Sequence, residues 1–169
     1  MVVLVAAADD DRLAPVEQAI GFWNDRLAEL GLTLRIGAPE VRVADPLARS
    51  LETYARQVAT RAIQQLPTGG FEPDPPDAFG RLEGDIVLLL SSQDIMSYAW
   101  PLPRTEPVRH LIVVRRVRGP YRSDPMVSSH VVAHELGHAL GLSHNEEAHT
   151  LMCGPCQPLT AEIDDTGFL

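Results

Sequence analysis

The stretch AHELGHALGLSHNEEAHTLMCGPC, residues 133–156, holds four of the chain's six histidines, both of its cysteines and three of its glycines. It reads either as a helix surface that happens to be polar or as a metal site. His134 and His138 are four apart, which puts two imidazoles on one helix face, one turn apart, where both can reach a single ion. An open zinc site wants a third protein ligand and a fourth position left for water. His144 cannot be that ligand on a continuous helix, because it would point about 120° away from His138 and lie about 9 Å further along. Gly141 supplies the solution. A glycine takes a positive φ, ends the helix and folds the chain back, so that His144 faces the ion that His134 and His138 hold. Glu135, a step round the helix from His134, is poorly placed as a ligand but well placed to reach a water on the metal.

Working outward, Asp124 and Pro125 form a cap and first helical position, and the helix runs from there to Leu140. Upstream, GDIVLLLS (84–91) is a continuous apolar run and reads as a central strand. SYAWP (97–101) is short and aromatic, and its proline marks an edge strand. HLIVVRRV (110–117) is a further strand. Near the N-terminus Val2–Ala8 reads as a strand and Pro15–Leu30 as a helix with its apolar face on Val16, Ile20, Trp23, Leu27 and Leu30. LTLRI (32–36) alternates as a strand, with EVRVAD continuing it or pairing with it. Asp45-Pro46 opens a second helix whose stripe is Leu47, Leu51, Tyr54, Val58, Ala62 and Leu66. Residues 67–81 are rich in proline, glycine and aspartate and read as a loop. The aspartates at 9–11 and 164–165 read as solvated ends.

Composition bounds the function. The 169 residues suffice for one core and are few for two. The formal net charge of −9 argues against nucleic acid and anionic membrane as partners. No run approaches the ~20 apolar residues of a membrane span. Val2–Ala8 lacks the basic flank of a signal peptide and runs straight into aspartates, so the chain is expected to be cytoplasmic, or secreted with its leader removed. All 14 basic residues are arginine, which we read as compositional bias.

HELGHALGLSH (134–144), followed by Met152 in HTLMCGP, resembles the signature of the metzincin clan of zinc metallopeptidases with its Met-turn. Within that clan it is most similar to matrixin-like catalytic domains. The order GDIVLLL, YAWP, HLIVV before the helix, and WNDRLAELGLTL (23–34) further upstream, resemble theirs. The resemblance implies an α+β domain spanning 1–169. Its twisted, mainly parallel sheet would be backed by helices, with an N-terminal subdomain (1–141) and a short C-terminal one (142–169). It implies one catalytic Zn2+ held by His134, His138 and His144, with Glu135 activating the zinc-bound water to hydrolyse peptide bonds. Gly141 and Met152 would be structural at the site. Ser97, Tyr98, Ala99 and Trp100 would pair with an extended substrate, and the wall near Pro155 would shape a pocket. The partner expected is a peptide or protein substrate, met by a monomer.

The sequence departs from the matrixin pattern at Asn145, where serine or threonine is usual, at Cys153-Gly154-Pro155-Cys156, and in the helix of Leu47–Leu66. Cys153 and Cys156 read as a small disulfide loop or free thiols, as redox control, or as an inhibitory ligand to the zinc. His130 and His149 are the rival ligands. The main alternative function is a catalytically silent zinc-binding module that recognises peptides or partners.

Overall fold

The computed structural model describes residues 1–63, 73–102, 105, 107–116 and 124–154. The chain forms two compact units, each made of two stretches: Met1–Asp10 with Gly37–Arg116, and Asp11–Ile36 with Val117–Leu169.

The first unit is a five-stranded sheet in the order β2-β1-β3-β5-β4, where β1 is Val2–Val5, β2 Glu40–Val43, β3 Ile86–Leu90, β4 Tyr98–Pro101 and β5 His110–Val114. Its β1–β2, β1–β3 and β3–β5 pairs are parallel, and β4 runs antiparallel to β5, with Tyr98 opposite Val113. The apolar runs of β1, β3 and β5 fill the centre and are buried on both faces, as parallel strands require. Pro101 ends β4, at the sheet's edge, where a missing N–H costs no ladder bond.

Helix α2 (Pro46–Ile63) belongs to this unit. The Asp45 carboxylate accepts the Leu47 N–H at 2.8 Å, and Pro46 follows at the first helical position. Leu47, Leu51, Tyr54 and Val58 bury their stripe against alternate strand residues Val2, Leu4, Val87, Leu89, Leu111 and Val113. Each such side chain contributes about 1.5–3 kcal/mol by leaving water. Polar ties fix the helix on the sheet. The Glu52 carboxylate accepts from Ser91 Oγ at 2.6 Å and from the Ser92 N–H at 2.9 Å. Arg109 donates to the carbonyls of Phe79, Leu82 and Gly84, which holds the short 3-10 turn Asp77–Arg81 against the start of β5.

The second unit pairs helix α1 (Leu13–Glu29) with helix α3 (Pro125–Ala139). Val16, Ala19, Ile20, Trp23 and Leu27 form the buried face of α1. The Trp23 indole N–H donates to the Ala133 carbonyl at 2.8 Å, which fixes α1 against the turn of α3 that begins the histidine motif.

Three sequence expectations are corrected. Leu32–Ile36 forms no strand; β2 is Glu40–Val43 alone. The Asn24 side chain takes both main-chain groups of Ile36, at 2.8 and 3.0 Å, and the Arg35 guanidinium takes the carbonyls of Leu32 and Leu34. Those backbone groups are therefore spent on side chains, and Leu32 and Leu34 stay exposed despite their alternation. Asp10 is buried rather than solvated, and accepts from Arg116 at 3.1 Å. The first strand stops at Val5 rather than Ala8. Leu66 and the aspartates at 164–165 lie outside the described residues.

Leu51 is fully buried. Leu51→Ala should lower the unfolding free energy in urea by about 2–5 kcal/mol. Val41→Ala, on an exposed side chain of β2, should change it by less than about 0.5 kcal/mol.

Candidate metal centre

Helix α3 begins as its sequence requires. The Asp124 carboxylate accepts the Met126 N–H at 2.9 Å, and Pro125 fills the first position. It ends at a Schellman turn. Gly141 has φ +96°, its N–H bonds the His138 carbonyl at 3.0 Å, and the Leu142 N–H reaches back to the Gly137 carbonyl at 3.0 Å. The chain reverses there, as a β-carbon-bearing residue would resist, and His144 comes round to meet the two helical histidines.

The three rings converge. His144 Nε2 lies 3.1 Å from His134 Nε2 and 3.1 Å from His138 Nε2. One ligand atom from each residue falls within 4.8 Å of the others, and among the described residues His134, His138 and His144 are the group able to hold a metal ion. His130 and His149 do not join it. His149 instead sits at φ +84° in the loop beyond.

The far sides of two rings are already committed. His134 Nδ1 lies 2.7 Å from the Leu151 carbonyl, and His138 Nδ1 lies 2.8 Å from the Leu142 carbonyl. A carbonyl oxygen can only accept, so each Nδ1 carries the proton and each Nε2 offers its lone pair inward. Such second partners fix the tautomer and ring angle of a metal-binding histidine. Donors bound to a tetrahedral zinc at ~2.05 Å stand about 3.3 Å apart, close to the spacing found here. Lone pairs facing one another at this distance repel unless a cation or a proton lies between them. The donor set therefore fits a divalent ion.

Burial pushes the His134 imidazole pKa down, and its two histidine neighbours push the same way against the Leu151 carbonyl. Burial and then His138 lower that of His144. Both shifts favour the neutral ring, which is the form that binds metal. Glu135 is buried on α3, next to His134 in sequence.

The loop beyond His144 packs closely on the centre. Met152 is buried, and a β-carbon added at Gly137 would meet its sulfur at 2.6 Å and the Trp23 ring at 3.0 Å. A β-carbon at Gly154 would lie 2.9 Å from the His144 ring. Cys153 is disulfide-bonded. Pro155 and Cys156 fall outside the described residues.

The candidate substrate strand lies in the first unit. There the Tyr98 hydroxyl donates to the Ala55 carbonyl at 2.8 Å, Trp100 packs against the core, and Ser97 Oγ accepts the Arg115 N–H. These three side chains are thus engaged within the first unit, while β4 pairs on one side with β5 and forms the sheet's edge.

Sequence reading missed the carbonyls of Leu142 and Leu151, which no residue type announces because every residue has one. It also missed the close approaches at Gly137 and Gly154. Asn145 stood out only as a departure from a pattern, yet it organises the loop.

Gly137→Ala should cost about 1–3 kcal/mol by forcing Met152 and Trp23 aside. Gly21→Ala, in α1 with open space around it, should instead stabilise by up to about 1 kcal/mol; chemical denaturation reads both. The metal-free protein favours neutral His134 and His144. That stability is therefore present above the ordinary imidazole value of about 6.5 and lost as pH falls through the lower folded values. Thermal melting across this range checks it.

Residues 88–164 match the family model of the matrixins, a peptidase family. No curated protein and no solved structure matches the chain at a significant level. The matched span runs from within β3 through β4, β5 and α3 to the loop that carries Met152, and it contains all three convergent histidines. Over that span the chain is similar to a matrixin-like metzincin catalytic domain, and the mostly parallel five-stranded sheet with its helices is consistent with such a fold.

Proposed function

We propose that this protein is a zinc-dependent endopeptidase. The observation that carries the reading is the convergence of three Nε2 atoms with two Nδ1 protons already committed to carbonyls. Three imidazoles without a thiolate suit an open, catalytic zinc site better than a closed structural one. The match to the matrixins supports a metallopeptidase-type function in general.

His134, His138 and His144 would hold the ion. When bound, zinc supplies Lewis acidity, polarising a carbonyl and lowering the pKa of a water. Glu135 is the general base in this reading. Its carboxylate takes the proton from the attacking water and returns it to the leaving nitrogen, without a covalent intermediate. Met152 floors the site beneath the histidine-bearing helix, in the manner of a Met-turn. The outer edge of β4 at Tyr98, Ala99 and Trp100, with Ser97 just before it, offers main-chain groups to an extended peptide, which would add as a further strand. Because the Ser97, Tyr98 and Trp100 side chains are occupied within the first unit, pairing there would read backbone more than sequence. Pro155 would stand at the pocket wall by resemblance. The chain would act as a single metallopeptidase domain and a monomer, on peptide or protein rather than nucleic acid or membrane; among the described residues no helix is long and apolar enough to cross a membrane.

Glu135→Ala tests the reading against a catalytically silent zinc-binding module. The variant should bind zinc as the wild type does and cleave a peptide mixture about a hundred- to ten-thousand-fold more slowly. His144→Ala should lose the metal, whereas His130→Ala and His149→Ala should keep it. Wild-type protein fully loaded with zinc that cuts nothing in the mixture would favour the silent module.

A further inference from the structure

Loop 145–154 touches two of the three imidazoles. The Leu151 carbonyl accepts from His134, and Gly154 lies against the ring of His144. Both contacts depend on how the loop closes, and it closes on one residue. The Asn145 N–H donates to the Met152 carbonyl at 2.9 Å, and the Asn145 carbonyl accepts the Gly154 N–H at 3.0 Å. Its side-chain oxygen then accepts the Glu147 N–H at 3.1 Å and the Thr150 hydroxyl at 2.8 Å. Thr150 is buried; its N–H bonds the Glu147 carbonyl at 3.3 Å, and its hydroxyl proton is shared between Asn145 Oδ1 and that carbonyl, 3.0 Å away. The Cys153 N–H returns to the Thr150 carbonyl at 3.3 Å.

We propose that Asn145 is a positioning residue for the metal centre, acting through the Thr150 hydroxyl to set the Leu151 carbonyl on His134 and Gly154 on His144. It is not one of the three residues that could hold the ion. The inference rests on reading the three imidazoles as the zinc ligands. A carboxamide suits the task because one oxygen accepts from two donors while the same residue's main chain bonds in both directions. The His149 conformation at φ +84° is unfavourable for a side-chain-bearing residue, and closure of the loop holds it.

The test measures Zn2+ affinity by competition with a chromophoric chelator, and the visible spectrum of the Co2+-loaded protein, on full-length chains checked as folded by circular dichroism. Asn145→Ala and Thr150→Val should each weaken zinc about tenfold or more and alter the cobalt bands, since they release partners that orient a ligand. Thr150→Ser, which keeps the hydroxyl, should restore wild-type values. The double variant should be no worse than the weaker single, because both cut one connection. Asn145 is exposed, so Asn145→Ala carries the test even if Thr150→Val does not fold. Unchanged affinity and spectrum in Asn145→Ala, with wild-type protein binding normally, would overturn the proposal. Wild-type protein that binds no zinc would instead overturn the reading of the site.

Discussion

The metal centre of the second unit depends on the mutual placement of three Nε2 atoms, two of which are held as lone-pair donors by bonds on the far side of their rings. Left alone, such lone pairs repel. The chain brings His144 Nε2 to 3.1 Å from each of the other two, and it fixes the opposite side of those two rings with one main-chain carbonyl for His134 and another for His138. These bonds are local and inexpensive to build. Leu142 is already part of the helix-ending turn, and Leu151 is carried by a loop closed on Asn145. The arrangement is thus assembled from secondary-structure bonds that the backbone would make in any case, redirected at two carbonyls.

The convergence of His134, His138 and His144 was legible in the sequence, for a physical reason. Ring convergence requires a four-residue spacing on a helix and a helix end of one particular kind, and the second requirement reads out as Gly141. What fixes the rings was not legible, because main-chain carbonyls carry no residue identity. The packing of Met152 on Gly137 was visible only as a methionine downstream; that the missing side chain at 137 makes room for its sulfur emerges from the structure.

In the sheet, long apolar runs gave reliable strands. β3 and β5 are buried on both faces, so their sequence has no competing interpretation, and proline correctly marked β4 as an edge. Alternation misled at Leu32–Ile36. A periodic pattern reports which side chains could face a core, but a strand also needs a neighbour to accept its main-chain bonds, and there the Asn24 and Arg35 side chains took that role. Asp10 shows a related limit. A run of acidic residues looks solvated until one of them meets an arginine distant in sequence.

The turn at Gly141 joins two functions in one residue beyond it. The Leu142 amide hydrogen closes the helix on Gly137, while the carbonyl of the same residue orients the His138 ring. Fraying of the last helical turn and loss of that ring's alignment are consequently a single event. Metal held at the rings would act as a clasp on the helix terminus, and the rate at which the Leu142 amide exchanges with solvent deuterium would serve as a gauge of how firmly the clasp is shut.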